Sequence, residues 1–288
     1  LMLSTILTIG IILCVPIFAE AVSLRVMREE IDRRSGTVGW PIFSVRIIAL
    51  PKGDHPMGIQ EITYTHDWLR GALQDAMHLP VTHSSFQVES PIYRLVTQEG
   101  DTAYTDSHIA DVRIAYISDV DRYADVIEGE PFGHGQESAE LEVWIEESFA
   151  DQMAIQVGER YAISALDSSL MGETPIHVTG IWRARNPKDQ FWYRHPEAHF
   201  GGIFLTTADR FATYVSSNLP EGSSLAFWYY VLDDKQINLD RGQEYITALQ
   251  RISTEIERRL PWGQMETSPI EDLQRGERRK TSLSIVLF

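Results

Sequence analysis

The chain has 288 residues, 43% hydrophobic and 23% charged, which is enough to build a sizeable core in one large domain or two small ones. Its formal net charge of −16 argues against binding to nucleic-acid phosphates. The single cysteine, Cys14, excludes an internal disulfide and any zinc or iron–sulfur site built from several cysteines.

Residues 1–36 are predicted to form a membrane-spanning helix that continues as a stalk. Residues 1–19 carry no charged side chain. A helix of this length extends roughly 28 Å, close to the thickness of the hydrocarbon layer. Residues 21–34 keep a helical pattern, in which Glu29 and Glu30 each precede an arginine by four residues. A cleaved signal peptide is the alternative interpretation of the apolar run.

The middle of the sequence predicts an α+β domain, because apolar residues recur there with both the strand and the helix period. Strands are predicted at 41–50, 86–96 (one strand or two), 112–116, 141–145, 161–166, 176–182, 203–205 and 225–232. Helices are predicted at 67–77, 120–127, 147–154, 206–214 and 243–260.

Residues 268–288 are predicted to form a second stalk and the first turns of a second membrane helix. Ser268, Pro269 and Glu271 make a strong helix start, a charged stretch follows, and residues 281–288 are apolar. Basic residues flank both apolar segments on the side of the large domain, which the positive-inside rule would place in the cytoplasm. We expect the opposite orientation, because that rule weakens for long translocated segments and acidic residues balance these charges.

Several short motifs follow one another between the two ends. A strand at 141–145 leads to Glu147, Ser148, Ala150, Ile155, Val157, Gly158 and Glu159. Next come Val178-Thr179-Gly180-Ile181-Trp182, then Asn186-Pro187-Lys188-Asp189-Gln190-Phe191-Trp192, then Phe204-Leu205-Thr206-Thr207-Ala208-Asp209-Arg210-Phe211. In order and spacing this series resembles MacB-like/FtsX-like ABC transporter permeases.

The resemblance implies an extracytoplasmic, two-lobed domain between two stalk and transmembrane helices. A βαβ porter-like lobe would comprise 37–136 and 200–267, and a β-rich sabre-like lobe would be inserted at 137–199. Such a permease subunit sits in the cell membrane as a multi-pass protein, in contact with membrane lipid. It pairs with itself or a second permease, and it transmits motion from a cytoplasmic ABC ATPase subunit to export or extract cargo.

No catalytic, cofactor or metal residues are predicted on this chain. It has no phosphate loop, no nucleophile elbow and no zinc-protease helix motif. His195 and His199 have the spacing of one helix face, but Pro196 lies between them, so we interpret them as surface or hydrogen-bonded histidines. Asp119, Asp121 and Asp125 lack the glycine and glutamate that a calcium loop requires.

One aromatic cluster leaves two interpretations open. Its members are Trp182, Phe191, Trp192, Tyr193 and Phe200. It fits either the packing of a long loop or an interface with a partner or cargo. At the level of the whole chain, the alternative to a permease subunit is a membrane-anchored extracytoplasmic binding or sensor domain.

Overall fold

The computed structural model describes residues 41, 43–50, 58–97, 108–134, 140–165, 173–216, 224–238, 241–260 and 262–267. The predicted stalk and membrane segments at 1–36 and 268–288 lie outside these residues. None of the described helices combines the length and the apolar character that a membrane crossing requires.

The described chain contains both strands and helices. In order these are β1 (Ser44–Ala49), α1 (Ile59–Met77), β2 (Val81–Glu89), β3 (Tyr93–Thr97), β4 (His108–Ile117), β5 (Ala124–Gly129), β6 (Leu141–Glu146), α2 (Glu147–Met153), β7 (Arg160–Ala165), β8 (Thr174–Ala184), α3 (Pro196–Phe200), β9 (Ile203–Leu205), α4 (Ala208–Arg210), β10 (Leu225–Leu232), α5 (Gly242–Arg259) and β11 (Gly263–Thr267).

The two ends of the described chain build what we call the helix-backed region. Strands β11, β1, β10 and β2 lie side by side in that order, each antiparallel to its neighbour. Strands β1 and β2 are therefore parallel with β10 between them, and β10 and β11 are parallel with β1 between them. These are two split β-α-β units. Their helices bury an apolar stripe that includes Leu69 and Leu73 of α1 and Leu249 and Ile256 of α5.

The middle of the chain closes into what we call the ring region. Strands β4, β3, β7, β8, β6 and β9 pair in that order, and β9 returns to β4. Ile114 of β4 lies opposite Phe204 of β9, and Trp144 of β6 lies opposite Leu205. Strand β5 pairs with the second half of β8. Closure buries both faces of β6, so all six of its residues are buried.

Two cores follow from the alternation of side chains along the ring strands. Val112 and Ile114 of β4 join the main core, which extends to the helices of the helix-backed region. Ala115 of β4 and Trp144 of β6 point the other way. They belong to a second core with Trp182, Phe191, Trp192, Phe200 and Leu205.

Strand pairing between β2 and β4 makes the two regions one continuous sheet. Gln87 lies opposite Ile117, and Glu89 lies opposite Ala115. The predicted mixture of helices and strands in one domain is confirmed. The division into lobes at residues 137 and 199 stays a prediction. Strand β3, from the first part of the predicted porter-like lobe, pairs with β7 of the predicted sabre-like lobe, and β4 pairs with β9 of the second part of the porter-like lobe.

The motif region has the order that the sequence predicts, with β6, α2 and β7 in succession. The Glu146 carboxylate caps α2 by accepting the Ser148 N–H at 2.9 Å and the Phe149 N–H at 3.3 Å. Gly158 has φ +89°, which favours glycine, and a Cβ on Gly180 would lie 2.7 Å from Trp144 Cδ1. Gly158 therefore supplies a backbone conformation that other residues rarely adopt, and Gly180 allows the close approach of Trp144.

Most predicted elements are confirmed with shifted ends, but the helix predicted at 120–127 is wrong. That segment forms a short 3₁₀ turn, Val120–Arg122, followed by strand β5. Residues Ala124 to Gly129 pair with β8 instead of continuing a helix. The non-local hydrogen bonds to β8 override the local apolar spacing. Strand β11 and helix α3 have no counterpart among the predicted elements.

Candidate functional site

A cleft opens between the helix-free face of the helix-backed region and residues 191–202. Strand alternation places Val45 and Trp228 in the main core and Arg46 and Phe227 on the opposite, cleft-facing side. An inner cavity of about 40 Å³ and an outer cavity of about 410 Å³ share lining residues, so we treat them as one cleft. The residues common to both are Arg46, Glu89, His199 and Phe227.

Arg46 is held in place on both faces and at its tip. Its guanidinium carbon lies 4.6 Å from the ring centre of Tyr193 and 4.8 Å from that of Phe227. Its Nη1 lies 3.2 Å from Glu266 Oε2 on β11, and the arginine side chain is only 12% exposed. A guanidinium stacked between two rings has few rotamers left, so its donors are preorganised towards the cleft.

Arg113 is the second cation of the cleft and is paired with a buried acid. Its Nη1 donates to Glu89 Oε2 at 2.7 Å, and Gln87 Nε2 donates to the other carboxylate oxygen at 2.6 Å. Burial raises the pKa of Glu89, while Arg113 opposes that rise. Both carboxylate oxygens of Glu89 are thus engaged by protein donors.

His199 is partly buried in the cleft and lies within the electrostatic influence of its three arginines. Burial lowers its pKa to about 4, and Arg194, Arg46 and Arg113 act in the same direction. Its imidazole is consequently neutral at pH 7. Arg194 is exposed at the outer cavity and forms no ion pair within the described part of the chain.

Four members of the predicted aromatic cluster, all except Trp182, line the inner wall of the cleft, and the cluster is mostly packed inside the protein. Trp182, Phe191, Trp192 and Phe200 are at most 4% exposed, and Tyr193 is half-buried against Arg46. Trp182 and Trp192 stack with ring centres 5.6 Å apart. Packing therefore accounts for four of the five members. Within the described residues, the indole N–H groups of Trp182 and Trp192 have no hydrogen-bond partner.

The other predicted groups are not brought together. His195 lies at the exposed start of α3, whereas His199 faces the cleft. Asp119 pairs with Arg122, and Asp125 pairs with Arg185 at 2.8 Å. Across the described ranges, no three histidine, cysteine or acidic side chains group as a metal site would require.

The sequence predictions missed the charged residues of the cleft. Arg46 and Arg113 each lie between buried apolar neighbours on a strand. A cation at the outward position of an otherwise apolar strand is the signal that could have singled them out.

Comparison with known proteins finds similarity to solved structures. No protein-family model and no curated protein matches the chain. A solved structure described as "a domain of a putative Permease protein from Porphyromonas gingivalis" is similar, with a TM-score of 0.36 and 12% sequence identity. The match covers 79% of this chain and 88% of that one. Similarity at this level establishes neither the family nor the function of this chain.

Proposed function

We propose that this chain is a permease subunit of an ABC transporter, with the described residues forming its extracytoplasmic domain. The observation that carries the proposal is the pairing of the first and last strands. Val45, near the start of β1, lies opposite Thr267, the last residue of β11.

This pairing sets where the flanking segments leave the domain. Neighbouring strands lie about 4.8 Å apart, so the start of β1 and the end of β11 lie side by side. The uncharged run at 1–19 and the apolar run at 281–288 flank these points in the sequence. Two membrane helices that enter one folded domain at adjacent points can move it as a unit.

The motif series supports the same proposal. The first motif of the resemblance to MacB-like/FtsX-like permeases comprises a strand, a short helix, a glycine and a second strand between residues 141 and 165. The described chain has these elements in that order, with Gly158 at positive φ between α2 and β7.

The cleft lies close to the points where the flanking segments leave the domain. Arg46 is the third residue of β1, and its partner Glu266 is the next-to-last residue of β11. A displacement of either flanking segment would act first on this pair and then on the cleft wall that Arg46 forms. In this proposal ATP hydrolysis takes place on a partner subunit, and this chain transmits the motion.

Purification of the full-length chain from native membranes tests the partnership. An affinity tag should recover an ATPase subunit that carries a phosphate-loop motif, in near-stoichiometric amount and without crosslinking. Stable recovery of the chain without any such ATPase would contradict the proposal.

The cleft also fits the second candidate, a membrane-anchored binding or sensor domain. The same purification separates the two functions. A sensor would be recovered alone or continuous with a cytoplasmic signalling module, and a permease would be recovered with an ATPase.

A further inference from the structure

The cleft offers hydrogen-bond donors in excess of acceptors. Arg46, Arg113 and Arg194 can only donate, and the acceptor oxygens of Glu89 are already engaged by Arg113 and Gln87. Asp111, at the outer cavity, lies 3.0 Å from His108. A ligand in this cleft would therefore meet arginine N–H donors for which the protein does not supply enough acceptors.

A buried donor on the inner wall adds an independent observation. Trp192 lines the inner cavity, is 4% exposed, and its Nε1–H has no hydrogen-bond partner in the described part of the protein. An unpaired buried donor lowers stability unless an acceptor forms a hydrogen bond with it. The inner wall thus supplies an apolar surface with one unmet donor.

The local charge differs from that of the rest of the molecule. The chain as a whole carries −16, yet the charged groups that shift the pKa of His199 are all arginines. The lining of the outer cavity carries three arginines and two acidic residues, Glu89 and Asp111, so its formal charge is positive on an acidic protein and favours an anion.

From the cavity, its three arginines and the orphaned indole N–H, we propose that this cleft binds a small organic carboxylate attached to a compact apolar group. Arginine presents a planar fork that matches both oxygens of a carboxylate. The aromatic inner wall accepts the apolar group, and the limited inner volume of about 40 Å³ keeps that group small. The outer volume of about 410 Å³ falls in the range of roughly 300–1,000 Å³ typical of small-molecule sites. The proposal of a carboxylate site does not depend on the proposed permease function.

A matched pair of probes tests the proposal on the full-length chain in detergent. Isothermal titration calorimetry should detect binding of N-acetyl-L-phenylalanine, with no binding of its uncharged amide. Inorganic phosphate serves as the alternative anion. We expect the affinity for N-acetyl-L-phenylalanine to fall as salt is added, since the contact is electrostatic.

Two exposed arginines provide the variant and its control. Arg194→Gln removes the cleft cation that has no ion pair among the described residues, and it should weaken binding about tenfold, the lower range for a hydrogen bond between charged groups. Arg251→Gln, on the exposed side of α5, should leave binding unchanged. Both changes lie at exposed positions, so both variants should fold.

Three results would overturn the proposal. One is equal binding of the acid and its amide, which would make the site merely apolar. Another is binding of phosphate but not of the carboxylate. The third is an equal loss of affinity in Arg194→Gln and Arg251→Gln, which would assign the effect to general surface charge.

Discussion

The helix-backed region and the ring region use the same kind of strand in different ways. In the helix-backed region β1 buries Val45 and Ile47 under the helices and presents Arg46 to the cleft. In the ring region β6 buries every residue, because closure leaves it no solvent-facing side. The first region therefore has a face free for function, whereas strand β6 of the second region is constrained on both faces.

The largest expected difference comes from removing one aromatic side chain from each region. Trp144→Ala should lower the free energy of unfolding by about 3–5 kcal/mol, since Trp144 is fully buried and donates to Glu130 O at 2.7 Å. Phe227→Ala, on the half-buried cleft face, should cost only about 1 kcal/mol. Urea unfolding followed by circular dichroism measures both. Equal losses would remove the distinction between the regions.

The junction between the regions gives the next effect. Arg113→Met leaves Glu89 buried without its cation, which should cost about 2–3 kcal/mol. The double variant Arg113→Met/Glu89→Gln removes the charge as well and should recover most of that loss. A double-mutant cycle by urea unfolding measures the coupling. Additive losses in the cycle would show that the pair does not join β4 to β2 energetically.

A close approach inside the ring gives a smaller effect. Gly180→Ala places a Cβ 2.7 Å from Trp144 Cδ1 and 3.0 Å from Glu128 O, so the indole or the backbone must move. We expect a loss of about 1–3 kcal/mol, measured by thermal unfolding. Gly71→Ala, where a Cβ would meet nothing within 4 Å, is the matched control and should be neutral or stabilising. A Gly180→Ala variant as stable as the wild type would contradict the packing described for the ring.

The smallest expected effect is a pH dependence that originates under α1. Burial lowers the pKa of His66 to about 4, against an ordinary value of 6.5. Asp67 and Asp119 oppose that shift, and Arg70 and His83 add to it. Its Nδ1 lies 3.2 Å from the hydroxyl of Tyr230.

Between pH 6.5 and 4 the unfolded chain binds a proton at this site that the folded chain does not. The contribution of His66 to the free energy of unfolding should therefore be fully present above pH 6.5 and be lost as the pH drops towards 4. The wild-type protein should lose unfolding free energy between pH 6.5 and 5, and we expect His66→Gln to reduce that loss by about 1 kcal/mol, a value that allows for screening by water near the ring. Urea unfolding at a series of pH values checks this. An unchanged pH profile in His66→Gln would show that His66 is not a source of the dependence.

The sequence predicts the helices of the helix-backed region better than its strand pairings, for a physical reason. Helices α1 and α5 carry apolar stripes that any window of the sequence reveals, although α1 begins at Ile59, before the predicted start at residue 67. Strand β11 has five residues with no apolar alternation, and its pairing with β1 joins residues more than 200 positions apart. Pairings of that kind have no local signature.

The residues of the cleft are also hard to predict from the sequence. The aromatic segment at 182–200 stands out in the sequence, but burial assigns four of its members to the second core. Arg46, Arg113 and Arg194 come from three separate segments, and only the closed ring and the β2–β4 pairing bring them to one cavity. Sequence spacing alone does not predict that convergence.

Thiol labelling of the full-length chain in intact spheroplasts tests the central claim most directly. In a Cys14→Ser background, Tyr64→Cys in the helix-backed region and Asp151→Cys in the ring region place single thiols at exposed positions. The proposed membrane role predicts that a membrane-impermeant maleimide labels both without permeabilisation, while a cytoplasmic control thiol stays unlabelled. Labelling of both positions only after permeabilisation would place the domain in the cytoplasm and contradict the proposed function.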